Sequence, residues 1–273
     1  MTKNIAILCS DDAHHRYLVG VLASRFRVVA VVVEPGRAQR RRILARRKWV
    51  DYAYTLYHHA RRTLFGLNAY RRRYFADVPP YEQPAAVREV EWINEPATAE
   101  LLRAAAPDLT IVICTSILAK EVLAAAGPMI INVHGGFLPY YRGNHCFFFP
   151  FYRRTWDRIG STLHFVDAGI DTGAIIENVV PPIHPNDTPE KLYCRAERIA
   201  IDRLAEWIAH WERGGVIPRH PQPERHPLSR TRDRGPFHDL HLWFRRMTGL
   251  HAVPERPGIP LAPITGAEAR EAS

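Results

Sequence analysis

The 273-residue sequence predicts an α/β protein: a Rossmann-like, doubly wound and mostly parallel sheet with a helical insertion and a short, irregular C-terminal extension. Three observations carry this. Continuous apolar runs rich in β-branched residues, at 27–33, 108–114 and 129–133, read as strands buried on both faces. Segments with helical apolar spacing alternate with them. Two later strands end in polar residues beside glycines: Asn132 and His134 precede Gly135-Gly136, and 161–173 carries Asp171 between Gly169 and Gly173. In such sheets, ligands bind at the carboxyl ends of the strands.

The elements follow in order. Lys3–Cys9 reads as a first strand, then a helix capped by Asp11 or Asp12 and running through Ser24, then a strand over Arg27–Val33 stopped by Pro35-Gly36. The first turn, 9–15, has no glycine, which argues against a dinucleotide fingerprint or a phosphate-cradling loop. Val90–Ile93 reads as a short strand, and Asn94 with Pro96 introduces a helix to Ala106. Asp108–Cys114 is a buried strand, the stretch from Thr115 turns into a helix closed by Gly127-Pro128, and Met129–His134 is the next strand. Arg142–Trp156 is aromatic and reads as a packed helix, with His145 structural. Ser161–Val166 and Ala174–Val180 are strands, the second antiparallel if the two form a hairpin. Thr188-Pro189-Glu190 starts a helix that ends before Gly214-Gly215. Residues 1–213 thus form the catalytic domain and 214–273 the extension. Within the extension, 218–236 reads as irregular, 239–247 as an amphipathic helix and the tail from Val253 as loosely packed.

Residues 37–75 interrupt the alternation with basic helical segments in which aromatics are interleaved. They form either a phosphate-, nucleic-acid- or membrane-facing surface, or an inserted helical pair whose aromatics pack while its arginines are solvated. The net charge of +9 comes mainly from arginine, concentrated at 37–73 and 219–246. It suits an anionic partner or simply records compositional bias. With 47% hydrophobic and 24% charged residues, the composition is that of a soluble globular protein. Cys9, Cys114, Cys146 and Cys194 have no paired spacing, and His14-His15 and His58-His59 are adjacent rather than at helical spacing, so neither a disulfide framework nor a metal site is expected. No stretch is long enough to span a membrane, and the apolar run 5–8 breaks at Ser10-Asp11-Asp12, so a cytoplasmic location is expected. A homodimer stays open.

The candidate chemistry rests on three residues. Asn132 donates hydrogen bonds without titrating, His134 shuttles a proton near neutral pH, and Asp171 can orient an imidazole or hold a water. An amide donor, an imidazole and a carboxylate converging on one spot suit acyl transfer. No serine or cysteine sits in a nucleophile-elbow context, so a covalent acyl-enzyme is not indicated. A core histidine and a turn-capping aspartate explain the same residues structurally.

Asn132-Val-His134 followed by Leu138-Pro139-x-Tyr141-Arg142-Gly143 resembles the signature of folate-dependent formyltransferases, as does 160–173 with His164 and Asp171. Pro107-Asp108 and the turn Ser116-Ile117-Leu118 are similar too. The resemblance covers about 90–210 well. It implies a domain that binds N10-formyltetrahydrofolate, with no metal, through Ser116, Ile117, Leu118, Val166, Asp167, Gly169 and Ile170. Asn132 and protonated His134 would stabilise the tetrahedral oxyanion, and Asp171 would hold His134 and a water; His164 is architectural or functional. Gly135, Gly136, Tyr141 and Arg142 would face the acceptor amine, the two glycines leaving a roomy loop floor where many members carry a serine.

Departures narrow the acceptor. The glycine-rich phosphate loop of the glycinamide ribonucleotide enzymes is missing, and the C-terminal barrel of the tRNA enzymes does not fit after Arg213. The expectation is therefore a small-molecule amine, a nucleotide-linked amino sugar first, with an amino acid or natural-product amine as alternative and nucleic acid disfavoured. Hydrolysis of the formyl donor, and a non-catalytic RNA- or anionic-surface-binding protein on the same fold, are the competing functions.

Overall fold

The computed structural model describes residues 2–82, 84, 86–222 and 226–264. Its centre is a seven-stranded sheet in the order β3-β2-β1-β4-β5-β7-β8, formed by β1 (Ile5–Cys9), β2 (Val28–Val33), β3 (Ala86–Glu89), β4 (Leu109–Ile113), β5 (Ile130–His134), β7 (Ser161–Phe165) and β8 (Ile175–Val179). The first five pair in parallel, and β7 and β8 run antiparallel. The predicted class is borne out, including the hairpin of the last two strands. β6 (Arg142–Gly143) and β9 (Leu228–Ser229) form a separate two-stranded ribbon.

The sheet is buried because its strands are apolar on both faces: every residue of β1, β4 and β7 is buried. One side is covered by α1 (Ala13–Ala23) and α8 (Pro189–Glu212), whose Leu18, Leu22, Ile201, Leu204 and Ile208 meet Ile5, Ile7, Ile111 and Leu163. The other is covered by α5 (Pro96–Ala105) and α6 (Lys120–Ala125) over Ala6, Leu8, Ala30 and Val112. A third cluster gathers the aromatics of α7 (Phe148–Arg153) with Leu192 and Leu242.

Four expectations are corrected. The strand read at Val90–Ile93 lies earlier, at Ala86–Glu89. It is a sheet edge whose charged residues face solvent, which hides the alternation, while Val90 and Ile93 are buried just beyond it. The aromatic stretch 142–156 is not one helix but a ribbon strand, the single turn and a half of α7 and a 3₁₀ turn. The insert holds three helices, α2 (Gly36–Ala45), α3 (Trp49–Leu64) and α4 (Leu67–Tyr74), and several of its arginines turn inward. Arg42 meets Glu34, Arg62 and Arg71 meet Asp12, and Arg71 also meets Glu190. Finally, the tail from Val253 lies against the domain as far as it is described: Arg256 bridges Ile183, and the carbonyl of Ala262 accepts from Arg203. Residues 265–273 fall outside the described residues.

Candidate active site

Register places the site. In an antiparallel pair, directly opposed residues share a face, and β5 and β7 align Asn132 with His164 and His134 with Thr162. Strand alternation puts Asn132 and His134 on the same face. Four polar side chains from two strands therefore converge at one edge.

Hydrogen bonds then fix each group. His164 Nδ1 donates to the Phe165 carbonyl at 2.8 Å, so its Nε2 carries a lone pair, and this accepts from Asn132 Nδ2 at 3.0 Å. Burial, with His134 alongside, pulls the His164 pKa down to about 4 against the opposing pull of Asp171, which keeps the ring neutral near pH 7. Asn132 Nδ2 has a second proton, and its direction is set by the first. His134 Nε2 donates to the Tyr141 carbonyl at 2.9 Å, which leaves Nδ1 facing Asp171. Thr162 ties the following loop down, donating to Gly136 O at 2.7 Å and accepting from Leu138 N at 3.0 Å.

Asp171 sits between the two rings. Its Oδ1 is 3.7 Å from His134 Nδ1 and 3.8 Å from His164 Nε2, within ion-pair range but beyond a hydrogen bond. Its Oδ2 accepts from Gly143 N at 2.8 Å. Asp171 has φ +53°, in the left-handed region that aspartate enters more readily than most non-glycine residues. Its loop is held from both sides. Arg142 donates to the Ile170 carbonyl and to the His226 carbonyl, and Gln222 donates to the carbonyls of Asp171 and Gly173. The extension read as irregular thus reaches the Asp171 loop.

The sequence-predicted residues fall into two groups. Asn132, His134 and Asp171 are brought together. Tyr141 is buried, its hydroxyl bonded to Thr155 at 2.6 Å, and it meets the site through its carbonyl; Arg142 meets it through the Asp171 loop. Gly135 and Gly136 do not leave a roomy floor. A Cβ on Gly135 would lie 2.8 Å from the Tyr193 ring, and one on Gly136 would lie 2.5 Å from Cys146 Cβ and 2.6 Å from His134 Nε2. The space is already filled, which corrects the sequence reading.

A second edge adjoins this one. Leu118 in the turn 116–118 and Val166 at the start of the loop 166–170 pack on one apolar cluster. Glu34, fully buried at the end of β2, accepts from Ser116 N at 2.8 Å and Ser116 Oγ at 3.1 Å, and pairs with Arg42. Asn94 spans the turn, bonding Ile117 O and Ala119 N. The Ile117 side chain stands 68% exposed at this edge. Asp167 is held by Gly169 N and Thr172 Oγ1.

Sequence reasoning missed Glu34, Thr162 and Gln222 and left His164 open. The alternation of Thr162 and His164 along one strand was the available signal; Gln222 had none. A buried polar network also lies one strand away. His14 bonds the Tyr193 hydroxyl, His15 receives Asp12 N, and donor atoms of His14, His15 and Cys114 lie within 4.8 Å of one another, a grouping that the adjacency of the histidines concealed. Beside it, burial raises the Glu197 carboxyl to about 7, partly opposed by its bond to Ser161.

A family model described as formyl transferase matches residues 57–207. The methionyl-tRNA formyltransferase of Burkholderia ambifaria is 33% identical over 151 residues, covering 54% of this chain and 45% of that protein. That of Halorhodospira halophila is 32% identical over 155 residues, covering 54% and 48%. The chain spans about half the length of the curated relatives it matches. Among solved structures, the phosphoribosylglycinamide formyltransferase of Anaplasma phagocytophilum superposes with a TM-score of 0.55 at 16% identity, covering 84% of this chain and 100% of that one. A sugar N-formyltransferase from a Shewanella species gives 0.51 at 17%, covering 82% and 76%. These two likenesses are of fold.

Proposed function

The chain belongs to the formyl transferase family, and from that premise we propose that it transfers the formyl group of N10-formyltetrahydrofolate to the amine of a small molecule, a nucleotide-linked amino sugar first. The observation that carries this is the convergence of Asn132, His134 and Asp171 at the ends of β5 and β7, with His164 fixing the Asn132 amide. The folate, when bound, supplies an activated formyl carbonyl, and the edge formed by 116–118 and 166–170 is where its ring system fits.

The chain's residues do the rest. The free proton of Asn132 Nδ2 meets the oxygen that becomes anionic as the amine adds to the formyl carbon. His134 takes the amine proton on Nδ1, the nitrogen its bond to Tyr141 leaves open, and the resulting imidazolium stands beside Asp171. The carbon–nitrogen bond to the acceptor forms, the bond to N10 breaks, and the proton returns to the leaving nitrogen. No covalent enzyme intermediate is required.

A small acceptor accords with how the described residues after α8 are used: Gln222 holds the Asp171 loop, and Leu228 and Ser229 pair with β6. The four cysteines are all unpaired, in keeping with a reducing, cytoplasmic setting. A second reading, transfer to methionyl-tRNA, is favoured by the names of the sequence relatives. Incubation with formyltetrahydrofolate and a panel of nucleotide amino sugars, amino acids and methionyl-tRNA, read by mass spectrometry, separates them. Formylated sugar is expected. Formylated methionyl-tRNA alone would replace the acceptor proposed here, and folate turnover without any formylated amine would replace transfer by hydrolysis.

A further inference from the structure

Two neighbouring helices are turned with their apolar faces to solvent. In α3 several polar residues face the domain. The Tyr57 hydroxyl bonds Asp239, His58 bonds the Thr231 carbonyl at 3.1 Å, and Arg62 pairs with Asp12. Its outward side carries Trp49, Val50 and Leu56, with Leu64 and Phe65 at its end, all exposed, and no residue of α3 is buried. In α9 (Pro236–Met247) the same inversion recurs. Asp239 pairs with Arg234, Arg246 donates to the Asp187 carbonyl at 2.8 Å, and Arg245 to the Tyr152 carbonyl at 3.3 Å, all inward with Leu242. Phe237, Leu240, Trp243, Phe244 and Met247 face out, Phe237 at 84% exposure. A helix on a water-facing surface carries the opposite pattern, and apolar patches of this kind mark an interaction site.

We propose that the α3 and α9 faces dock this protein on an anionic membrane surface. Charge chooses the bilayer over a second copy of the chain. The net charge is +9, and Arg46, Arg47 and Lys48 are exposed immediately before Trp49. Pairing two copies on this face would bring like charges together, whereas anionic headgroups neutralise them. Tryptophan and phenylalanine on the apolar side of a helix, with arginine and lysine beside them, are what a helix lying in the headgroup layer presents. Among the described residues no helix is long and apolar enough to cross a membrane, so the contact is peripheral. The inward side of α3, behind the docking face, reaches towards the site: the His58 ring lies 4.4 Å from that of His145, two residues from Gly143, whose amide holds Asp171.

The test is co-sedimentation of the full chain with phosphatidylcholine vesicles, with and without phosphatidylglycerol. Binding is expected with phosphatidylglycerol, weak without it and weakened by salt. Trp243→Ser with Phe244→Ser, and separately Arg47→Glu with Lys48→Glu, should each lower partitioning roughly tenfold or more. Both pairs lie on the surface, so the thermal midpoint should stay put. No uptake by anionic vesicles, or equal uptake by the wild type and both variants, overturns the proposal. So does a dimer in gel filtration that the Trp243/Phe244 pair dissolves while vesicles take up neither protein.

Discussion

Asn132 and His164 face each other across paired strands with Nδ2 and Nε2 3.0 Å apart, and the bond from His164 Nδ1 to the Phe165 carbonyl makes the ring an acceptor. This decides which end of the Asn132 amide faces the histidine, and so where the second amide proton points. His164 is therefore a positioning residue. His164→Ala should lower kcat about 10- to 100-fold with little change in KM for the folate, less than the roughly 10²- to 10³-fold expected for losing an oxyanion donor outright. His164→Gln, which retains an acceptor oxygen, should recover part of it. A change in KM alone would mean that His164 acts on binding.

The Asp171 loop is held from both sides, so its clamp should be coupled to its function. Arg142→Ala removes the bonds to the Ile170 and His226 carbonyls. We expect a fall in kcat of about tenfold from Arg142→Ala in the wild type and much less in an Asp171→Asn background, because residues acting through one group are not additive. Equal losses in both backgrounds would show that Arg142 works independently of Asp171.

Gly136 admits no side chain: an added Cβ would lie 2.6 Å from His134 Nε2 and 2.5 Å from Cys146 Cβ. Gly136→Ala should destabilise the fold by about 1–3 kcal/mol and abolish turnover by displacing His134. Denaturant melts and steady-state rates measured together check this; a stable, active variant contradicts the packing.

Stability should depend on pH in two opposed ways. Burial holds His15 and His164 at about 4 and His14 well below its ordinary value, while the unfolded chain protonates them near 6.5. Their contribution is complete above about pH 6.5 and is lost as pH falls towards 4. Glu197, raised by burial to about 7, acts in the other direction: its cost begins near its unfolded value and is fully present above pH 7. Glu197→Gln should therefore stabilise the protein above pH 7 by up to about 3 kcal/mol and leave it unchanged near pH 4. Melts across pH 4–8 read both effects, and a gain independent of pH would contradict the assignment.

The sheet was legible because its parallel strands are apolar on both faces, and a run such as Val28–Val33 has few other solutions. The site was half legible. Asn132, His134 and Asp171 stand beside glycines that mark strand ends, but their arrangement depends on β5 and β7 being antiparallel, which no local pattern announces. The edge strand at 86–89 was displaced in the reading because exposed Arg88 and Glu89 carry no apolar period, while Val90 and Ile93 do. The arginines of the insert looked solvated because Asp12, Glu190 and Asp239, which receive several of them, are far away in sequence. Gln222 was invisible for the same reason: it acts through backbone carbonyls about fifty residues upstream.

The most direct measurement follows an isotope-labelled formyl group from N10-formyltetrahydrofolate in the presence of an accepted amine, comparing wild type with Asn132→Ala. The label should appear in the amine with wild type, and at a rate lower by about 10²- to 10³-fold with Asn132→Ala, without label exchange into the protein. Transfer at an unchanged rate in Asn132→Ala, or label held covalently on the enzyme, would contradict direct attack at the site built from Asn132, His134 and Asp171.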